Sequence, residues 1–501
     1  MALNRFSDLP LLVLLMAAAA LAMLVPGLHA YALRDHDVGR PFLYGAVMLM
    51  IFTAMVGLAV VNRPRKGRNH LVSLVSTYAV LPLLLAVPFH QVLQDTRFLN
   101  AWFEMLSSFT TTGATLYDAP GRLPPSLHLW RMLVGWLGGF FILVMGVAVL
   151  MPLHLGGMEI MVPRRSASDQ TRQIARLADP GEREMRLALL LGPAYLGFTM
   201  ALWMLLVMAG EDGFRALALA MATISTSGIL PVGAEPASVG SEVLIAGFLA
   251  LAVTRRAFPG DMFADRSRPP LQDPEVRMAL GLVAAVTAVL FLRHWVGAID
   301  QAGTPSLGHL LHALWGTAFT ALSFLTTTGF VATEWDMARH WSGLGNPGLI
   351  LMGLAVIGGG VATTAGGVKL LRVYALYRLG ERELERLVHP HSVGGGGAQQ
   401  RYLRGQGAQL AWVFFMLFAM SIGGVVAALT LLGQGFDRAL VLAIAALSNT
   451  GPIATHAGDL PVRFAELGDL AKMVLGGAMV LGRVEVLAVL ALANPAAWRA
   501  P

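Results

Sequence analysis

The stretch Ser107-Ser108-Phe109-Thr110-Thr111-Thr112-Gly113 ends in a hydroxyl-rich tetrad, and variants of that tetrad occur three more times along the chain. Each tetrad follows a predicted helix that is too short to cross a bilayer, which takes about 20 residues. An internal repeat of this kind indicates one structural unit that is used four times. The four tetrads are Thr110-Thr111-Thr112-Gly113, Ser225-Thr226-Ser227-Gly228, Thr326-Thr327-Thr328-Gly329 and Ser448-Asn449-Thr450-Gly451.

The residues that precede the tetrads also match, and they match in pairs. Ser107-Ser108-Phe109 resembles Ser323-Phe324-Leu325, and Ala222-Thr223-Ile224 resembles Ala445-Ala446-Leu447. Short segments at membrane depth are tolerated where they are buried in protein or line a water-filled cavity. We therefore predict that the short helices surround a pore, and we place them at 99–109, 213–224, 308–325 and 435–447.

The composition is that of a membrane protein. Of the 501 residues, 56% are hydrophobic and 13% are charged, whereas soluble domains average about 25% charged. The chain contains no cysteine, which excludes disulfides, thiolate metal sites and a cysteine nucleophile. No Ser-His-Asp arrangement, metal-ligand helix or cofactor motif lies at a single membrane depth, so we predict no enzymatic activity and no organic cofactor.

Ten segments are predicted to span the membrane. The first is too long for the apolar region of a signal peptide, so we interpret it as a retained transmembrane helix. The segments at 345–375 and 465–494 are longer than a bilayer requires, and the glycines within 345–375 predict that this helix is broken. The ten segments are 10–33, 41–61, 71–93, 127–152, 187–209, 238–254, 278–297, 345–375, 408–432 and 465–494.

The positive charges indicate the topology. Lys and Arg are concentrated in the connections at 63–70, 164–186, 255–277 and 369–404, which the positive-inside rule places in the cytoplasm. Both termini are then cytoplasmic. This distribution explains the net charge of +6 without a nucleic-acid partner.

The residue types in the tetrads suit a weakly hydrated monovalent cation. A ring of backbone carbonyls can replace the hydration shell of such an ion, and glycine allows the unusual backbone that turns carbonyls inward. The tetrads contain no carboxylate, which calcium and magnesium sites normally use. The predicted potassium ligands are Thr111, Thr112, Gly113, Thr226, Ser227, Gly228, Thr327, Thr328, Gly329, Asn449, Thr450 and Gly451.

On these motifs the chain resembles the Trk/Ktr/HKT superfamily of potassium transporters over nearly its whole length. The stretches that carry the resemblance are 107–114, 326–330 and 448–452, together with Gly135-Trp136-Leu137-Gly138-Gly139, Asp273-Pro274-Glu275-Val276-Arg277 and Leu481-Gly482-Arg483-Val484-Glu485. Two helices ahead of the first repeat are similar to the Trk-type arrangement.

The resemblance implies an all-α integral membrane protein of the inner (cytoplasmic) membrane. Four pseudo-symmetric repeats of helix, pore helix, filter loop and helix would surround one central pore, at 66–165, 166–262, 263–390 and 391–501, after two extra helices in 1–65. It also implies a homodimer in membrane lipid and a cytoplasmic nucleotide-binding regulatory subunit that is TrkA-like. The predicted function is potassium uptake. A sodium-permeable or ion-coupled transporter of the same fold stays open, because the second and fourth tetrads depart from the others.

Two features are predicted to form a gate below the filter. The glycine-rich segment with Gly358, Gly359, Gly360, Gly366 and Gly367 resembles a superfamily segment that forms an intramembrane loop and obstructs the pore. The alternatives are a flexible kink or close helix packing, because glycines let helices approach closely. Arg483 lies about 18 residues into the last predicted helix, or roughly 27 Å along it. An intramembrane arginine is a functional-site hypothesis by default. The alternatives are that Arg483 pairs with Glu485, which the two-residue spacing disfavours, or that it extends to the cytoplasmic interface.

Several acidic residues are candidates for concentrating cations at the outer entrance. The alternative is that they are solvated loop charges. They are Glu104, Asp118, Glu334, Asp336 and Asp459.

Overall fold

The protein is described by a computed structural model, which covers most of the chain. The described residues are 11–60, 69–119, 121–150, 157, 180–231, 233–254, 256, 269–300, 307–333, 335, 348–389, 406–458, 461–486 and 488–489. Within these residues the regular structure is helical. This agrees with the predicted all-α fold.

Seven of the described helices are long and apolar enough to cross a membrane. Their exposed surfaces carry large apolar side chains such as Met48, Met204 and Met420, which suits a lipid environment. The helices are Leu11–Ala32, His36–Val60, Asn69–Val92, Pro125–Met145, Pro180–Met208, Pro274–Asp300 and Gln406–Leu431. Three further helices, Val239–Val253, Gly348–Ile357 and Asp469–Val484, are shorter.

The four short helices before the tetrads are present at the predicted places. They are Phe98–Phe109, Gly213–Ser225, Leu307–Leu325 and Phe436–Leu447, called short helices 1 to 4 below. The second begins at a clear cap, because the Asp212 carboxylate accepts the backbone N–H groups of Phe214 and Arg215. Such a cap satisfies donors that have no partner within the helix.

Each short helix packs against the helix before it and the helix after it within its own repeat. The helix that follows each tetrad also contacts the short helix of the next repeat. Pro125–Met145 touches short helix 2, Val239–Val253 touches short helix 3, and Gly348–Ile357 touches short helix 4. Asp469–Val484 then touches short helix 1, so the four repeats follow one another around a closed circle.

The predicted break in the segment 345–375 is confirmed. Gly348–Ile357 is followed by residues 358–369, the glycine loop, and then by the helix Leu370–Val388. That second helix extends well past the predicted end at 375. Its far end carries exposed Leu384, Leu387 and Val388.

The predicted continuous helix over 465–494 is wrong. The helix runs from Asp469 to Val484, and the backbone at Glu485 has a positive φ of 72°. A left-handed residue interrupts an α-helix of L-residues. Arg483 is therefore the last residue but one of its helix, and it does not lie about 18 residues into a longer one.

Candidate functional site

All four tetrads adopt the same backbone turn. The second residue of each has a positive φ, and three of these residues are threonines, for which this conformation is unusual. The values are 53° at Thr111, 51° at Thr226, 59° at Thr327 and 53° at Asn449. Each short helix therefore ends in a left-handed turn at the same position.

The hydrogen bonds repeat with the turn. The N–H of the third tetrad residue donates to the carbonyl five residues earlier in every repeat, which is the longer of the two bonds in a Schellman helix ending. The pairs are Thr112 to Ser107 at 2.8 Å, Ser227 to Ala222 at 3.0 Å, Thr328 to Ser323 at 2.9 Å and Thr450 to Ala445 at 2.9 Å. The hydroxyl of the first residue also donates to the carbonyl four residues earlier in each repeat, over 2.7–3.0 Å.

The tetrads touch one another in sequence. A Cβ atom added to Gly113 would lie 2.3 Å from the Ser227 carbonyl oxygen, and one added to Gly228 would lie 2.3 Å from that of Thr328. A Cβ on Gly329 would approach Pro452 to 2.8 Å. These contacts join repeat 1 to 2, 2 to 3 and 3 to 4.

The fourth contact closes the circle. The Gly451 N–H donates to the Thr112 carbonyl oxygen over 2.6 Å, and a Cβ on Gly451 would lie 2.4 Å from the Ala114 nitrogen. The structure thus brings together all twelve predicted ligand residues. We call this arrangement the tetrad ring.

The electrostatics of the tetrad ring favour a cation. Four helices end at it, and a helix C-terminus carries about half a negative charge. The Thr, Ser and Asn residues of the ring are buried and uncharged. Among the described residues, no group of three or more His, Asp or Glu side chains is placed to hold a metal ion.

The glycine loop is packed against the ends of three short helices. The Gly366 N–H donates to the Thr327 hydroxyl over 2.8 Å, and the Thr364 hydroxyl donates to the Ile224 carbonyl over 3.2 Å. A Cβ on Gly366 would lie 2.1 Å from the Ser448 carbonyl oxygen. The loop therefore contacts the C-terminal ends of short helices 2, 3 and 4 and the turns that follow two of them.

The loop folds back on itself at its glycines. Gly358 and Gly367 have φ values of 74° and 77°, and a Cβ on Gly358 would lie 2.2 Å from the Gly366 carbonyl oxygen. A Cβ on Gly359 or Gly360 would meet backbone carbonyls of the helix Val239–Val253 at 2.6 Å or 2.2 Å. This close backbone packing explains the glycines as structural requirements of the loop.

Arg483 is buried beside the loop. Its side chain is 4% exposed, and its Nη2 atom donates to the Thr364 carbonyl oxygen over 2.7 Å. No ion pair joins it to a carboxylate within the described part of the chain. The predicted gate residues therefore lie together beside the tetrad ring.

The alternative pairing of Arg483 with Glu485 is wrong, because Glu485 has another partner. Its two carboxylate oxygens accept hydrogen bonds of 3.2 and 2.8 Å from Arg372, whose side chain is fully buried. The Arg372 guanidinium also lies 3.6 Å from the centroid of the Phe414 ring. Arg372 looked like an ordinary positive-inside residue, so sequence reasoning missed this pair.

A second support of the glycine loop was also missed. The Glu275 carboxylate accepts the Val361 N–H over 2.8 Å and is 1% exposed. Both Glu275 and Glu485 lie in stretches that carry the family resemblance. Their acidic character next to apolar segments was the available signal.

The predicted role of Glu104 at an outer entrance is wrong, and so is the alternative of a solvated loop charge. Glu104 is fully buried, forms an ion pair of 2.6 Å with Arg131 and accepts the Leu116 N–H over 3.0 Å. Asp118 is exposed. Glu334, Asp336 and Asp459 lie outside the described residues.

The chain is similar to known proteins over nearly its whole length. A sequence model of the TrkH family, described as a cation transport protein, matches residues 264–498. The Trk system potassium uptake protein TrkH of Escherichia coli K12 is 30% identical over 494 residues, covering 95% of this chain and 96% of that protein. TrkH of Vibrio parahaemolyticus is 30% identical over 520 residues, covering 97% and 98%.

The fold matches a solved structure as well. The crystal structure of the potassium transporter TrkH from Vibrio parahaemolyticus superposes with a TM-score of 0.78 at 27% identity. The match covers 99% of this chain and 100% of the other.

Proposed function

Because the chain belongs to the TrkH family of cation transport proteins, we propose that it carries potassium into the cell across the cytoplasmic membrane. The tetrad ring is the selectivity filter in this proposal. The glycine loop and Arg483 form the gate below it.

The observation that carries the proposal is the closed ring of four identical left-handed turns. A potassium ion that enters from outside loses hydration water and needs oxygen ligands in its place. Carbonyl and hydroxyl oxygens from four repeats supply them around one axis. The absence of carboxylates from the tetrads lets the ion leave again, because binding that is too strong stops conduction.

The gate acts by sterics and by charge. The glycine loop lies against the C-terminal ends of three of the four short helices, so an ion cannot pass until the loop moves. Arg483 adds a positive charge at the same level, in a region of low dielectric where Coulomb repulsion is poorly screened. Movement of the loop away from Arg483 would separate the guanidinium from the Thr364 carbonyl oxygen and open the path.

The helix Leu370–Val388 connects the gate with the cytoplasm. It begins directly after the glycine loop, so a force on its exposed end would reach the loop. We propose that a nucleotide-binding, TrkA-like subunit acts there and that the protein is a homodimer of the inner membrane with both termini in the cytoplasm. The repeat bounds at 66–165, 166–262, 263–390 and 391–501 belong to the same proposal.

Ion flux into vesicles containing the full-length protein tests the function. Potassium and rubidium should enter much faster than sodium and lithium, because the latter two hold their hydration water more tightly. Equal rates for all four ions would refute a potassium-selective filter. Sodium entry at the potassium rate, with lithium slow, would support the sodium-permeable alternative.

A pair of glycine substitutions tests the filter itself. Gly113 and Gly121 have similar φ values of 74° and 76°, but a Cβ on Gly113 meets the next tetrad whereas nothing lies within 4 Å of one on Gly121. Gly113→Ala should therefore reduce the potassium-to-sodium flux ratio at least several-fold, and Gly121→Ala should leave it unchanged. An equal flux ratio in both variants would remove the ring from the selectivity mechanism.

A further inference from the structure

The side chains at the second tetrad position are not equivalent, although their backbones are. The Thr226 hydroxyl donates to the carbonyl oxygen of its neighbour Ser225 over 2.8 Å. The Asn449 amide donates over 3.0 Å to both the Thr112 hydroxyl and the Met479 carbonyl. The Thr111 hydroxyl is buried and has no hydrogen-bond partner among the described residues.

Thr327 differs from the other three, because its hydroxyl accepts the Gly366 N–H of the glycine loop. We propose that Thr327 is a latch. Its hydroxyl holds the glycine loop in the closed position, and the same hydrogen bond makes the conformation of the third tetrad depend on whether the gate is closed. This inference rests on the proposed function of the two elements. It assigns to one filter residue a second role in positioning the gate.

The packing makes the bond sensitive to any movement of the loop. Gly366 is pressed so closely against the Ser448 carbonyl that a Cβ would lie 2.1 Å from it, and Thr327 is 1% exposed. When the loop moves away, the Gly366 N–H and the Thr327 hydroxyl separate. A buried N–H left without a partner is costly, so the bond favours the closed position.

The same bond affects the filter. Thr327 has a φ of 59°, a conformation that persists only where surrounding contacts fix it. Loss of the hydrogen bond from the Gly366 N–H removes one such constraint from the third tetrad. Coupling between two sites is reciprocal, so the ion that occupies the filter should in turn influence the position of the loop.

A single thiol can report the position of the loop, since the chain has no cysteine. Thr363 lies in the loop and lines a cavity of about 30 Å³ together with Arg483 and Glu485. In the Thr363→Cys protein, the rate of modification by a water-soluble thiol reagent measures how often the loop opens. All measurements use the full-length protein in vesicles, with potassium or sodium as the only alkali cation.

The latch predicts a rise in thiol modification when the Thr327 hydroxyl is removed. A hydrogen bond of this kind contributes about 0.5–1.5 kcal/mol, which corresponds to about a twofold to twelvefold change in an equilibrium. Thr327→Val should raise the rate by that factor, and Thr327→Ser should restore it. Thr53→Val removes a buried hydroxyl that bonds to the Leu49 carbonyl within the helix His36–Val60, outside the ring and the loop, and should not raise the rate.

The dependence on the ion gives the second readout. In the Thr363→Cys protein the modification rate should differ between potassium and sodium, and Thr327→Val should abolish that difference. Equal effects of Thr327→Val and Thr53→Val, or no effect of either, would overturn the latch. If the parent protein transports potassium and only these differences are missing, the latch fails alone; if it transports no potassium, the proposed function fails.

Discussion

Repeats 1 and 3 support the tetrad ring with polar side chains, whereas repeats 2 and 4 support it with apolar ones. Nine residues before the tetrad glycine stand Glu104 in repeat 1 and Thr320 in repeat 3, and each accepts the N–H three residues after the glycine. These bonds are Leu116 to Glu104 at 3.0 Å and Ala332 to Thr320 at 3.2 Å. The same position holds buried Leu219 and Leu442 in repeats 2 and 4.

The difference follows from the third residue after each tetrad glycine, and from whether its backbone N–H needs an acceptor. Repeat 2 has Pro231 at the third position after the glycine, and proline has no N–H to satisfy. In repeat 4 the N–H of Ala454 donates to the Gly451 carbonyl over 3.0 Å. A short helix therefore carries a polar acceptor only where the outgoing chain presents a donor that nothing else satisfies.

The largest effect is expected when Glu104 of repeat 1 is replaced by the leucine that repeats 2 and 4 have at the same position. Glu104→Leu leaves Arg131, which is 2% exposed, as an uncompensated buried charge. Such a loss typically costs about 3–5 kcal/mol. The thermal unfolding temperature of the purified protein in detergent should fall sharply.

A double variant separates the two causes of that loss. Glu104→Leu with Arg131→Met removes both charges, so stability should largely return and leave only the cost of the unpaired Leu116 N–H. If the double variant is as unstable as Glu104→Leu alone, the orphaned charge is not the reason.

The ring was predictable from sequence because its chemistry depends on residue types that recur. The Ser and Thr residues before each glycine and the short preceding helices identified all twelve residues that meet in it. The pairing of Ser107 with Ser323 and of Ala222 with Ala445 was also visible. The structural role of this pairing could not be predicted, because it depends on hydrogen bonds to the residues that follow each tetrad.

The errors have two physical causes, one local and one at long range. The apolar run continues beyond Val484, so hydropathy gives no sign of the left-handed residue Glu485. Glu104 and Arg372 look like surface charges because sequence alone does not show which distant charge lies beside them. Their partners, Arg131 and Glu485, are far away in the chain and were placed by the packing of helices.

A smaller effect is expected from Thr320 in repeat 3. Thr320→Val preserves the shape of the side chain but leaves the Ala332 N–H without its acceptor, which costs about 1–3 kcal/mol in a buried site. Denaturation in detergent should show this loss. Thr320→Ser retains the hydroxyl and should recover most of it; equal losses in both variants would indicate that packing, not the hydrogen bond, matters there.

The smallest effects are expected at the serines six residues before the tetrad glycine, Ser107 in repeat 1 and Ser323 in repeat 3. They allow the closest comparison of the two repeats. The Ser323 hydroxyl accepts the Phe330 N–H over 2.6 Å, whereas the Ser107 hydroxyl is buried with no hydrogen-bond partner among the described residues. Ser323→Ala should cost about 1–2 kcal/mol, at the lower end for a buried group left unsatisfied. Ser107→Ala should be neutral or slightly stabilising, since it removes a buried hydroxyl that makes no bond.

Both substitutions introduce the alanine that repeats 2 and 4 already have, so volume and helix propensity change equally in the two variants. Their difference in unfolding temperature therefore measures the hydrogen bond to Phe330. Equal stability of the two variants would show that the outgoing chain of repeat 3 does not depend on this serine. Polar support of the ring would then reduce to Glu104 and Thr320, and the twofold alternation would apply only nine residues before each glycine.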